Sequence, residues 1–184
     1  MVQSVAAIAD GGFTILLRVP GGEEQDRWTC SPAGLANVGQ TFFGPGGSPL
    51  PPGTTQFRHF RSRGVSVPSN PDVGSTWTQV VTSEARFVLK DTQHRERQVV
   101  TTSYRAVDDE SVSTPEGSYQ ALRVEILSTT HKTSPELRVD LTATTKTTQW
   151  WVTGVGVVRS IVDTGSGTPT LILLKTHDIS TGRG

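Results

Sequence analysis

Thr147-Thr148-Gln149-Trp150-Trp151-Val152-Thr153-Gly154-Val155-Gly156-Val157-Val158-Arg159-Ser160 sets two tryptophans beside a valine run that two glycines interrupt. Trp and Val suit a pleated, half-buried surface, whereas glycine inside such a run marks a bulge, a bend or a close backbone approach. The stretch therefore predicts two antiparallel strands with the bend at Gly154 and Gly156, at least one of them at positive φ or closely packed. Trp150 and Trp151 are neighbours, so a regular strand sends their rings to opposite faces, one inward and one outward.

The rest of the composition agrees with an all-β reading. The chain has 184 residues and is 34% hydrophobic. It is rich in Thr, Ser, Val and Gly, and poor in helix formers such as Lys and Met. That length suits one β domain over 1–184 with a real core, and by itself leaves two small domains open. Acids and bases balance at 17 each, so net charge supplies no general attraction to nucleic acid or anionic lipid. Cys30 is the only cysteine, which excludes an intrachain disulfide or a cysteine cage for zinc. At strand spacing in Trp28-Thr29-Cys30 it reads as a small buried hydrophobe. No apolar run approaches the roughly 20 residues of a transmembrane helix.

Alternation recurs along the chain. Phe13, Ile15, Leu17 and Val19 share one face, and the Trp77-to-Leu89 run alternates over its full length. Leu122, Val124 and Ile126, then Leu137, Val139 and Leu141, repeat the pattern before the tryptophan stretch. Residues 44–54 are too rich in Pro and Gly for ladder pairing and predict a long surface loop. The charged clusters at 91–96, Asp108-Asp109-Glu110 and His131-Lys132 read as solvated turns. Together these signals predict roughly ten strands in meander order with little helix, forming a single antiparallel barrel or a strongly curved sheet.

Residues able to carry chemistry are few. Ile161-Val162-Asp163-Thr164-Gly165-Ser166 matches the loop of aspartic proteases, in which two such aspartates share one proton. One copy per chain requires a homodimer, and only 17 residues follow Gly167, too few for the remainder of that fold. The same residues suit a tight turn, which is the preferred reading. Phe57-Arg58-His59-Phe60-Arg61-Ser62-Arg63 interleaves aromatics with bases, yet Phe57 and Phe60 fall on opposite faces. An arginine-guarded edge strand accounts for it better than a nucleic-acid platform. His59, His94, His131 and His177 lie far apart and read as isolated surface residues. Nothing in the sequence calls for a catalytic group, a metal or a cofactor.

Two stretches resemble a family of bacterial exported and lipoprotein-type β proteins of unknown function, sometimes called TapB-like. They are Thr114-Pro115-Glu116-Gly117-Ser118-Tyr119-Gln120-Ala121-Leu122-Arg123-Val124-Glu125 and Trp150 to Arg159. Trp28-Thr29-Cys30-Ser31-Pro32-Ala33-Gly34-Leu35 and Val73-Gly74-Ser75-Thr76-Trp77 fit the upstream part of the same pattern. The resemblance implies a barrel-like antiparallel fold, an extracytoplasmic location in the periplasm or at the cell surface, and no assigned activity. Met1 to Ser4 has neither the basic start nor the long apolar core of a signal peptide, so export requires a leader or lipid anchor not carried in this sequence. The expected function is a non-enzymatic exported or cell-envelope module that binds or scaffolds. Its partner would be a protein or a small apolar ligand, not nucleic acid, with Trp77, Phe87, Trp150 and Trp151 lining a barrel interior.

Overall fold

The structure, a computed structural model, describes residues 2–9, 11–19, 22–43, 57–89, 92–165 and 167–173. The loop expected at 44–54 lies outside them. Twelve strands occupy most of the described chain: β1 Val2–Ala9, β2 Gly12–Val19, β3 Gly22–Ser31, β4 Gly34–Phe43, β5 Phe57–Gly64, β6 Val67–Pro68, β7 Thr76–Leu89, β8 Thr92–Thr114, β9 Gly117–Ser134, β10 Val139–Val152, β11 Gly156–Asp163 and β12 Thr170–Leu173. No helix among the described residues is long and apolar enough to cross a membrane.

The fold is all-β and antiparallel, but the strands divide between two sheets. One has the order β1-β2-β3-β4-β6 and the other β12-β11-β10-β9-β8-β7-β5. Consecutive strands pair from β1 to β4 and from β7 to β12, but the expected meander breaks where β6 joins β4 and β5 joins β7, and among the described residues no strand pair closes either sheet into the expected barrel. The division arises where the chain leaves β5. Gly64, at φ +85°, ends the strand that pairs with β7, and three residues later Val67 pairs with Leu35 of β4. A side chain at Gly64 would stand 2.2 Å from the Thr78 carbonyl oxygen, so the corner needs glycine twice over.

The chain gathers into two compact units. The first comprises Met1–Asn70, Thr78–Thr102 and Thr129–Ala143, and the second Pro71–Trp77, Ser103–Ser128 and Thr144–Gly184. In the first, much of the interior is polar. Ser66 Oγ donates to Gln79 Oε1 at 2.7 Å, while Gln79 Nε2 donates to the Asn37 carbonyl at 3.1 Å and to Ser62 Oγ at 2.9 Å. This chain ties β4, β5 and β7 and satisfies Gln79, which burial otherwise leaves costly. In the second, Val112, Ala121, Trp150 and Val158 form a buried cluster, with Tyr119, Val152, Val155 and Ile161 packed against it. Burying each large apolar side chain contributes about 1.5–3 kcal/mol.

The bend at Gly154 and Gly156 is present. Strand β10 ends at Val152, β11 begins at Gly156, and the two glycines have φ of +79° and +101°. A bulge falls between Trp150, opposite Arg159, and Trp151, opposite Val157. Val158 is the extra residue, and the bulge brings it, fully buried, into the cluster that holds Trp150.

Three stretches expected to be turns are strand. His94 and Glu96 are buried in β8, Asp108 to Glu110 continue it, and His131 and Lys132 belong to β9. Cross-strand partners explain each case. Lys132 Nζ lies 2.8 Å from Glu96, Arg123 reaches Asp108 and Glu110 at 3.9 and 3.7 Å, and His131 meets Asp140 at 2.8 Å. Cys30 also departs from expectation, being exposed at the rim where β3 meets the Ser31–Gly34 turn.

Asp26 of β3 carries the fold's clearest electrostatic cost. Burial, then the charge of Glu24, raise its pKa from 3.8 to about 6, against hydrogen bonds from Asn37 and Gln40. The folded state therefore holds this proton more tightly than the unfolded chain. The penalty is absent below pH 3.8 and complete above about pH 6. With solvent screening we expect Asp26→Asn to stabilise by about 1–2 kcal/mol at pH 7.5 and by much less at pH 4.5. Urea unfolding of both proteins at the two pH values checks this; a pH-independent difference contradicts it.

Candidate functional site

Trp77, Tyr104 and Trp151, all in the second unit, form one aromatic cluster. The Trp77 and Tyr104 rings stack at 5.1 Å with planes 6° apart. Trp151 closes on both, at 5.8 Å and 56° to Trp77 and at 6.4 Å and 62° to Tyr104. These are the offset-stacked and edge-on arrangements that ring quadrupoles favour. All three rings are half-buried, so each keeps some surface in solvent.

Local structure explains the placement. Before β7, Ser75 N–H donates to the Asp72 carbonyl at 2.9 Å, closing a turn in which Gly74 has φ +91°. Two backbone bonds then fasten this turn to β8: Gly74 N–H to the Ala106 carbonyl and Ala106 N–H to the Ser75 carbonyl, both 2.9 Å. That sets Trp77 beside Tyr104. Trp151 is oriented by its own strand, its indole N–H donating to Gln149 Oε1 at 2.8 Å.

The four residues expected to line a common interior do not meet. Trp77 and Trp151 do, and Tyr104 joins them. Trp150 faces the other way, only 6% exposed, with its indole N–H on Glu110 Oε1 and the Arg159 guanidinium 4.5 Å from its ring centroid. This pair of neighbours shows the opposite-face arrangement expected of a regular strand. Phe87 belongs to the first unit and packs against His94 at 5.6 Å. Tyr104 escaped the sequence reading although a signal existed. Trp77 lies as many residues before the end of β7 at Leu89 as Tyr104 lies after the start of β8 at Thr92, and the same holds for Phe87 and His94, so one unslipped register pairs both.

The other candidates resolve as follows. Asp163 ends β11, and its Oδ1 accepts from Gly165 N–H at 2.8 Å, an Asx turn leading toward β12. Strand β5 is an edge of the seven-stranded sheet with Arg61 and Arg63 exposed, while the side chains of Phe57, Arg58 and His59, and all of His177, lie outside the described residues. No group of three or more His, Cys, Asp or Glu gathers as a metal site among the described residues. No family model, curated protein or solved structure matches the chain. Chemically, the aromatic cluster offers apolar π faces together with the Tyr104 hydroxyl.

Proposed function

We propose that the chain is a non-enzymatic extracytoplasmic β module that binds a small apolar ligand, or an apolar side chain of a partner protein, through Trp77, Tyr104 and Trp151. The observation that carries the reading is the mutual contact of three half-exposed rings drawn from β7, β8 and β10. Rings held by strands and by backbone bonds lose little freedom when a ligand covers them, which favours binding over accidental exposure. The extracytoplasmic part rests on the resemblance carried by Thr114–Glu125 and Trp150–Arg159.

The neutral fluorophore N-phenyl-1-naphthylamine tests it. Titration is expected to give saturable binding with energy transfer from tryptophan. Trp77→Ala and Trp151→Ala are each expected to weaken it about three- to tenfold, the range of one aromatic contact. Phe87→Ala should leave the affinity unchanged. Absence of binding, or equal affinity in all variants, contradicts the proposal.

A further inference from the structure

Strands β7 and β8, with Thr133 of β9 and Pro135 just beyond its end, border a cleft of about 670 Å³ in the first unit. That volume lies within the range of small-molecule sites. Arg86, Arg95 and Arg97 line it and are exposed. Among the described residues none of the three has a carboxylate partner, whereas Arg105 and Arg123 of the second unit both do. The cleft's two acids do not cancel them. Glu96 is buried and neutralised by Lys132 at 2.8 Å, leaving Glu84 alone against three guanidinium groups.

The arginines also stand on a fixed floor. Ser134, fully buried, donates to the Arg95 carbonyl at 2.7 Å. The next residue, Glu96, is held by Lys132 of the same neighbouring strand. Two consecutive β8 residues are thus locked to β9, so the backbone carrying Arg95 and Arg97 is ordered before any ligand arrives. Guanidinium forks match tetrahedral oxyanions bidentately, and Gln93 and Thr133 on the rim add neutral donors.

We propose that this cleft binds a phosphate group, through Arg86, Arg95 and Arg97. The group belongs either to a small soluble molecule or to a lipid headgroup, and its recognition is independent of the aromatic cluster, so either site can fail alone. The probes are sodium pyrophosphate, followed by calorimetry, and phosphatidylcholine vesicles with or without phosphatidic acid, followed by co-sedimentation. In low salt the wild-type chain is expected to bind at least one of them. Pyrophosphate binding identifies the soluble source, and binding to phosphatidic-acid vesicles alone identifies the headgroup. Arg95→Gln and Arg97→Gln are each expected to weaken binding about tenfold, because each removes a charge-assisted contact. Arg105→Gln should leave it unchanged. All three are exposed positions, and circular dichroism verifies that each variant is folded. Failure to bind either probe, equal binding by Arg95→Gln and wild type, equal loss in Arg105→Gln, or full competition by sulfate at matched ionic strength overturns the assignment.

Discussion

Replacing Trp150 by alanine is expected to lower the free energy of unfolding by about 3–5 kcal/mol, the usual cost of emptying a buried tryptophan site. The ring fills the centre of the Val112, Ala121 and Val158 cluster, and its removal takes away three contacts together. Packing is lost, the Glu110 carboxylate loses its indole donor, and the Arg159 guanidinium loses the ring beneath it. Trp151→Ala, one residue along, should cost only about 1–2 kcal/mol, since its half-exposed ring contributes chiefly stacking with Trp77 and Tyr104. Denaturant midpoints that fall equally for the two variants would show that β10 is buried on both faces.

Gly34→Ala is the second large effect, expected at about 3–5 kcal/mol from backbone strain and overpacking together. Gly34 has φ +133°, and an added Cβ would stand 2.1 Å from the Val67 carbonyl oxygen and 2.7 Å from Pro68 Cα. Neither atom can swing aside, because both are backbone. The two-residue strand β6 should therefore detach from β4, exposing the amides of Ser66 and Ser69, which donate to Leu35 and Ala33. Gly156→Val isolates the strain component. There φ is +101° but nothing lies within 4 Å of the added atom, so about 1–3 kcal/mol is expected. Hydrogen exchange separates the two: Ser66 and Ser69 lose protection in Gly34→Ala and keep it in Gly156→Val. Retained protection in Gly34→Ala contradicts the close approach.

Alternation and turn glycines made the strands legible, because both signals are local. The Trp77-to-Leu89 run is β7 almost to the residue, and the Gly154 and Gly156 bend separates β10 from β11. What stayed hidden depended on partners distant in the chain. Glu96 looks like turn material until Lys132 stands beside it, and Asp108 to Glu110 until Arg123 does. The split into two sheets turns on β6, which is too short to carry a periodicity. The proposed binding surface was half visible. Trp77 and Trp151 were named, but grouping them with Trp150 and Phe87 assumed a single closed interior, whereas Trp150 lies with the Val112 cluster and Phe87 beside His94. Arg86, Arg95 and Arg97 carry no motif at all; the cleft gathers them from two strands.

The indole N–H signals of the four tryptophans give the most direct test of the proposed binding surface. In a 15N-labelled chain, single Trp→Phe variants assign the peaks, and N-phenyl-1-naphthylamine is then titrated in. The Trp77 and Trp151 signals should shift together and saturate at one ligand concentration. The Trp150 signal, from a buried ring bonded to Glu110, and the Trp28 signal, from the Phe13 stack on β3, should stay in place. Shifts confined to Trp28 or Trp150, or no shift at saturating probe, would contradict binding at Trp77, Tyr104 and Trp151.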